Sequence, residues 1–390
     1  MNIKDLLSPV KVTPILLPGM QAADQLGASI ISFHKLGIKS FPKSRMAIVG
    51  IPDAINSSYN QGCSESSLWV RNYLYGLRNL EFKGSILDMG DIKGKSSRDK
   101  YVALIEVVKE LNSHNIPFLV VGGSQDYTIP LLKSLKTNQP LTISIVDSFI
   151  NYSEDLTDYP SNNYLNQVFS IDSSLNINLL AYQQYLVSQT QTKWLEKNNI
   201  ETERLRNYID GKIINIEPII RDSEIVSFDI SAIKTSDMPG QKFPMPNGLS
   251  GKDACQIAWY SGMSDKLKCF AIFELNSETD SSKCSVMQVA QMAWHFFEGI
   301  IYRDGDYPLR SIDSYQTFHL PLDDYNICLR FFLNTENQRW WIEIPFQDKE
   351  VIFSCNKSDY EAIKSGEIGG RWLKYILKPE MKRNCENSCQ

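Results

Sequence analysis

Short apolar, β-branched runs recur along the chain between longer stretches in which apolar residues return every three or four positions. The first pattern fits buried strands and the second amphipathic helices, so their alternation predicts a parallel sheet covered by helices on both faces. Strands are predicted over residues 46–51, 86–89, 118–121, 142–146, 168–171, 224–229 and 269–275, with 179–182 a weaker eighth. Helices are predicted over 66–77, 99–112, 128–135, 193–198, 251–262 and 286–302. In such sheets the ligand site gathers at the carboxyl ends of the strands, so the residues just after each apolar run are where chemistry is sought.

From about residue 309 the pattern changes. Apolar, aromatic and polar residues mix through 325–333 and 339–346, and a helix-like stretch follows over 360–377. The expected organisation is a main α/β domain over 1–308 and a C-terminal α+β extension over 309–390 packed on it. Adjacent strand residues point to opposite faces, so of Trp340 and Trp341 one is expected to pack inward and the other to serve an interface. No repeat of solenoid type is present.

Composition narrows the function classes. The 390 residues carry 40 Lys+Arg against 45 Asp+Glu, a formal charge of −5. With no basic run, a nucleic-acid partner is not expected. No window is long and apolar enough to span a bilayer, and the first residues lack a secretory apolar region, so a cytoplasmic protein without a membrane partner is expected. The eight cysteines are scattered and read as mostly buried thiols; Cys385 and Cys389 lack a second pair or a histidine to complete a metal site. Cys63 has no nearby histidine in sequence to activate it as a nucleophile.

Six segments at predicted strand ends carry more information. Gly50-Ile51-Pro52, Asn60-Gln61-Gly62 and Trp69-Val70-Arg71 come first, then Leu87-Asp88-Met89-Gly90-Asp91. Val121-Gly122-Gly123-Ser124-Gln125-Asp126 and Asp147-Ser148-Phe149-Ile150-Asn151 follow. Next come Ser227-Phe228-Asp229-Ile230-Ser231 leading to Asp237-Met238-Pro239-Gly240 with Asn247-Gly248-Leu249, and finally Phe273-Glu274-Leu275-Asn276 with Asp280. In this order, over about residues 46–280, they resemble the ureohydrolase family of arginases, agmatinases and formimidoylglutamases, and most of all its formimidoylglutamase-like branch.

The resemblance implies an arginase-like three-layer α/β/α sandwich with a mainly parallel sheet of about eight strands, and a homo-oligomer. It also implies two bridged manganese ions that activate water against a guanidino or formimino carbon. Two ions bring a charge of +4 and call for hard oxygen and imidazole ligands. Carried onto this chain, the six ligand positions hold Gln125, Asp147, Phe149, Asn151, Asp229 and Ser231. Only Asp147 and Asp229, which the resemblance places at metal-bridging positions, keep a carboxylate. An Asp ending a parallel strand also commonly accepts from loop amides, so a structural role for both stays open.

None of the four histidines, His34, His114, His295 and His319, falls at a ligand position. Asp126 and Asp237 are the nearest substitutes for a single hard cation. Glu274 matches the family glutamate that pairs with the substrate's cationic group, and a carboxylate there can hold a cationic small molecule without hydrolysing it. The expectation is a pseudoenzyme without a resident cofactor, in a binding, scaffold or regulatory role with a protein partner. The alternative is a metal-dependent C–N hydrolase whose site is rebuilt from Asp126, Asp147, Asp229 and Glu274, with manganese bound only in that case.

Overall fold

The computed structural model describes all residues except 1, 59, 137–140, 156–159, 172–174, 199, 210, 307–313, 323–324, 326, 347–348, 370–371 and 373–390. The chain divides into two compact units, Met1–Arg303 and Asp304–Gln390.

In the first unit, ten strands among the described residues form one sheet: β1 (Leu7–Ser8), β2 (Ile30–Ser32), β3 (Ser44–Gly50), β4 (Ser85–Ile92), β5 (Phe118–Val121), β6 (Thr142–Val146), β7 (Asn176–Tyr182), β8 (Glu201–Arg204), β9 (Ile225–Asp229) and β10 (Cys269–Phe273). Their order is β1-β4-β3-β5-β10-β9-β6-β7-β8, with β2 also on β4. All pairs are parallel except β1 with β4. The chain builds β3, β4 and β5 on one side and β6 to β8 on the other, then fills the gap with β9 and β10. The carboxyl ends of β5, β10, β9 and β6 therefore stand side by side where the winding reverses, the place such sheets reserve for ligands.

The two-residue period of the strands splits the core in two. Met46 and Ile48 face one apolar cluster with helices Ser66–Leu74, Gly251–Met263 and Cys284–Ile301. Ala47 and Val49 face the other, with helices Ser97–Ser113, Thr128–Leu135 and Pro160–Ile171. This is the three-layer arginase-like sandwich expected from the sequence, with ten strands in place of about eight. Helices Ser97–Ser113 and Gly251–Met263 each begin with a capping box, from Ser96 to Asp99 and from Ser250 to Asp253.

One predicted strand is wrong. Residues 168–171 form the last turn of helix Pro160–Ile171, in which Tyr164, Leu165 and Val168 bury one helical face. The Asn- and Ser-rich run before them hid that period.

In the second unit β11 (Gln316–Leu322), β12 (Ile327–Leu333), β13 (Trp340–Phe346) and β14 (Lys349–Cys355) form an antiparallel sheet in sequence order, followed by helix Lys357–Lys364. Trp340 and Trp341 point to opposite faces, as expected, and both are buried. Trp340 stacks on Phe318 and Tyr360, while Trp341 packs with Phe332, Ile352 and Tyr315. The helix ends at Lys364, and residues 365–369, with Gly366 in the left-handed region, interrupt the predicted stretch; its residues 370–371 and 373–377 lie outside the described residues. Cys385 and Cys389 lie outside them too. Among the described residues no helix is long and apolar enough to cross a membrane.

Candidate functional site

The strand ends meet around Glu274, the first residue after β10, which is buried and takes a left-handed φ of 65°. Its Oε2 accepts from Ser57 Oγ (2.7 Å) and Asn60 Nδ2 (2.8 Å), and its Oε1 accepts from the Gln125 backbone N–H (3.1 Å). Asn60 Nδ2 donates to the Glu274 carbonyl as well (2.9 Å). Gly122 and Gly123 make this approach feasible. Both have positive φ, and a Cβ on either would sit within 2.8 Å of Ile51 atoms.

Beside it, Asp147 and Asp229 end β6 and β9. Asp147 Oδ1 accepts from the Phe149 N–H (2.9 Å) and Ser231 Oγ (3.0 Å); Oδ2 accepts from Asn151 Nδ2 (2.7 Å). Asp229 Oδ1 accepts from the Ser231 N–H (2.8 Å). Gln125 is fully buried between them. In one amide orientation its nitrogen donates to Asp147 Oδ2 (2.8 Å) and Asp229 Oδ2 (3.3 Å) and lies 3.0 Å from Asn151 Nδ2. Its carbonyl then accepts from Tyr164 Oη (3.3 Å); in the opposite orientation its oxygen accepts from Asn151 Nδ2 (3.0 Å). Phe149 lies near Phe243, ring centroids 6.2 Å apart, at a cavity of about 410 Å³ whose lining also includes Asn151, Asp229, Ser231, Gln241, Lys242 and Glu274.

The electrostatics follow from these partners. Burial pushes the Asp147 carboxyl up to about 7, and burial with Asp147 and Glu274 close by raises Asp229 well above the carboxylate range. The neutral donors around them soften this cost without cancelling it.

Other candidates do not join the cluster as free ligands. Asp126 is fully buried and committed to Asn56 Nδ2 (2.8 Å), Tyr101 Oη and Ser124 Oγ, with burial raising its carboxyl to about 6. Asp237 caps helix Gly251–Met263 by accepting from the Gly251 N–H (2.9 Å). His114 pairs with Glu110 and His295 with Glu298 on helix surfaces, His319 lies on β11, and His34 lines a second cavity beside β2 and β4. Cys63 is buried, donates to the Asp53 carbonyl (3.7 Å), and is raised by burial, Glu274 and Asp126, which disfavours a thiolate.

Thus the structure brings Gln125, Asp147, Phe149, Asn151, Asp229, Ser231 and Glu274 to one place. The sequence reading passed over Ser57, Tyr164 and Gln241. Asn60 was visible inside its Asn-Gln-Gly segment, whereas Tyr164 has no local signal.

A family model described as Arginase family matches residues 44–298. With this sheet and this set of strand ends, the chain belongs to the arginase family. Among solved structures it is similar to Trypanosoma cruzi formiminoglutamase with manganese, at 20% identity and a TM-score of 0.62, over 70% of this chain and 98% of that one. It is similar to Bacillus subtilis formimidoylglutamase at 14% and 0.63, over 74% and 97%. The agmatine ureohydrolase of Thermoplasma volcanium follows at 18% and 0.58, over 71% and 94%. At these identities the likeness is one of fold. No curated protein sequence matches the chain.

The residues present do not fit the two manganese ions of the family. Among the described residues no group of three or more His, Cys, Asp or Glu side chains is arranged to hold a metal. The oxygens of Asp147 and Asp229 face N–H and O–H donors, and Phe149 offers no lone pair.

Proposed function

We propose that this chain is an arginase-family protein that binds rather than hydrolyses, with the cavity at the strand ends serving a binding, scaffold or regulatory role. The observation that carries this is the donor set. Gln125, Asn151 and Ser231 stand at ligand positions and direct hydrogen-bond donors at the two remaining carboxylates. A hydrolase of this family type instead needs cations there to ionise water. The cavity persists beside Glu274, with Lys242 also on its wall, which favours a small occupant carrying a cationic group for Glu274 and an acceptor for Lys242. A cytoplasmic homo-oligomer with a protein partner belongs to the same proposal.

The rival reading, a rebuilt C–N hydrolase, has one observation in its favour: Asp147, Asp229 and Glu274 keep three carboxyl groups together. Supplying the purified full chain with manganese and assaying arginine, agmatine and formiminoglutamate separates the two readings. No turnover above background is expected, and turnover at an ordinary enzyme rate would establish the rival.

A further inference from the structure

We infer that the Gln125 carboxamide is a built-in, metal-free cross-link that holds the ends of β5, β6 and β9 together. The inference rests on the metal-free reading above and assigns the stabilising role to one side chain. Gln125 follows β5 and is fully buried. Its amide nitrogen reaches the carboxyls that end two other strands, Asp147 at 2.8 Å and Asp229 at 3.3 Å, while Tyr164 Oη fixes its carbonyl at 3.3 Å. One planar group therefore ties three strand ends and helix Pro160–Ile171 to a single point.

The neighbouring donors cannot do this. Asn151 Nδ2 reaches Asp147 and the Gln125 carboxamide (3.0 Å) and Ser231 Oγ reaches Asp147, but neither side chain reaches Asp229, whose bond from Ser231 is to its own strand end through the backbone N–H. A carboxamide has two N–H donors and one carbonyl, the number this position uses. A histidine could satisfy no more than one carboxyl with each ring nitrogen and would leave Tyr164 without the same acceptor. A buried polar cluster of this kind specifies its geometry only while every member is satisfied.

The test compares the full-length protein with Gln125→Met, which keeps side-chain length and apolar volume and removes both donors. Hydrogen exchange is read at the Phe149 and Ser231 amides, which donate to Asp147 and Asp229, with the Gly90 amide, which donates to Asp88, as the reference. The variant should exchange faster at Phe149 and Ser231 by about tenfold or more, stay unchanged at Gly90, and melt roughly 5 °C lower. The wild type should melt at one temperature with manganese or with chelator. If Gln125→Met does not accumulate as folded protein, Gln125→Asn carries the same comparison, because its shorter amide cannot span both carboxyls. Unchanged exchange at both amides overturns the cross-link while leaving the metal-free reading standing. A wild type that retains manganese and melts higher with it overturns that reading instead.

Discussion

Two clusters of buried carboxyl groups sit in the same sheet and are balanced by opposite means. Toward the end of β4, Arg71 donates to Asp91 Oδ1 (2.7 Å), Asp88 Oδ1 (3.1 Å) and the Gly90 carbonyl (3.0 Å), and Tyr75 Oη donates to Asp88 Oδ2 (2.5 Å). Burial opposes the guanidinium charge, yet Asp88 and Asp91 outweigh it and hold Arg71 above its usual value. At the ends of β6 and β9 the donors described above are neutral. Asp147 and Asp229 meet amides and hydroxyls, and burial lifts the Asp147 carboxyl to about 7 and Asp229 well above the usual carboxylate range. The same residue type thus makes a charged anchor where a guanidinium supplies the balance, and a protonatable pair where neutral donors do.

The sharpest way to break the comparison is to remove the cation. Arg71→Met leaves the buried Asp88 and the partly buried Asp91 without their partner and should cost roughly 3–5 kcal/mol, read by urea denaturation. A cost near zero would mean that the anchor is not held by charge.

The second cluster should show itself in pH dependence. Because the folded-state values of Asp126, Asp147 and Asp229 are raised, the folded chain keeps protons that the unfolded chain has released above about pH 4. Stability conferred on the protonated forms is therefore lost as pH rises from about 4 through about 7, by a few kcal/mol in all. Asp53 works the other way. Tyr127, Ser97 and Lys100 outweigh its burial and hold it below its usual value, so its contribution is lost only in more acid solution. A melting temperature that rises across the neutral range, or an Asp147→Asn variant with an unflattened profile, would contradict this account.

The smallest effect concerns the clamp on Glu274. Asn60→Ala removes two donated bonds, to the Glu274 carbonyl and to Oε2, and should cost about 2 kcal/mol while leaving the Arg71 cluster intact. A calorimetric scan reads the loss.

Much of this was legible in the sequence because steric demands write themselves into particular residues. Gly50 is one: a Cβ there would lie 1.8 Å from Asp91 Oδ1 and 2.6 Å from an Arg71 guanidinium nitrogen. The Gly-Ile-Pro segment, Arg71 and the Leu-Asp-Met-Gly-Asp strand end are thus one physical unit read at three places. The places of Gln125, Phe149, Asn151 and Ser231 were legible because each falls a few residues after a strand end. The short strands β1, β2 and β8 were not legible, being two to four residues long and partly exposed at the edge region. Nor was the Gln125 bridge, because it depends on Tyr164, which comes from a helix whose terminal residues resembled a strand. Contacts between segments distant in sequence leave no local period.

The central claim is that hydrogen-bond donors have taken over from metal at the ends of β5, β6 and β9. The most direct measurement is to incubate the purified chain with excess manganese, exchange the buffer, and count the ions retained per chain by plasma mass spectrometry. The account predicts retention near zero. Two ions per chain would contradict it, and would mean that Asp147 and Asp229 recruit ligands by displacing the amides that fill their coordination space here.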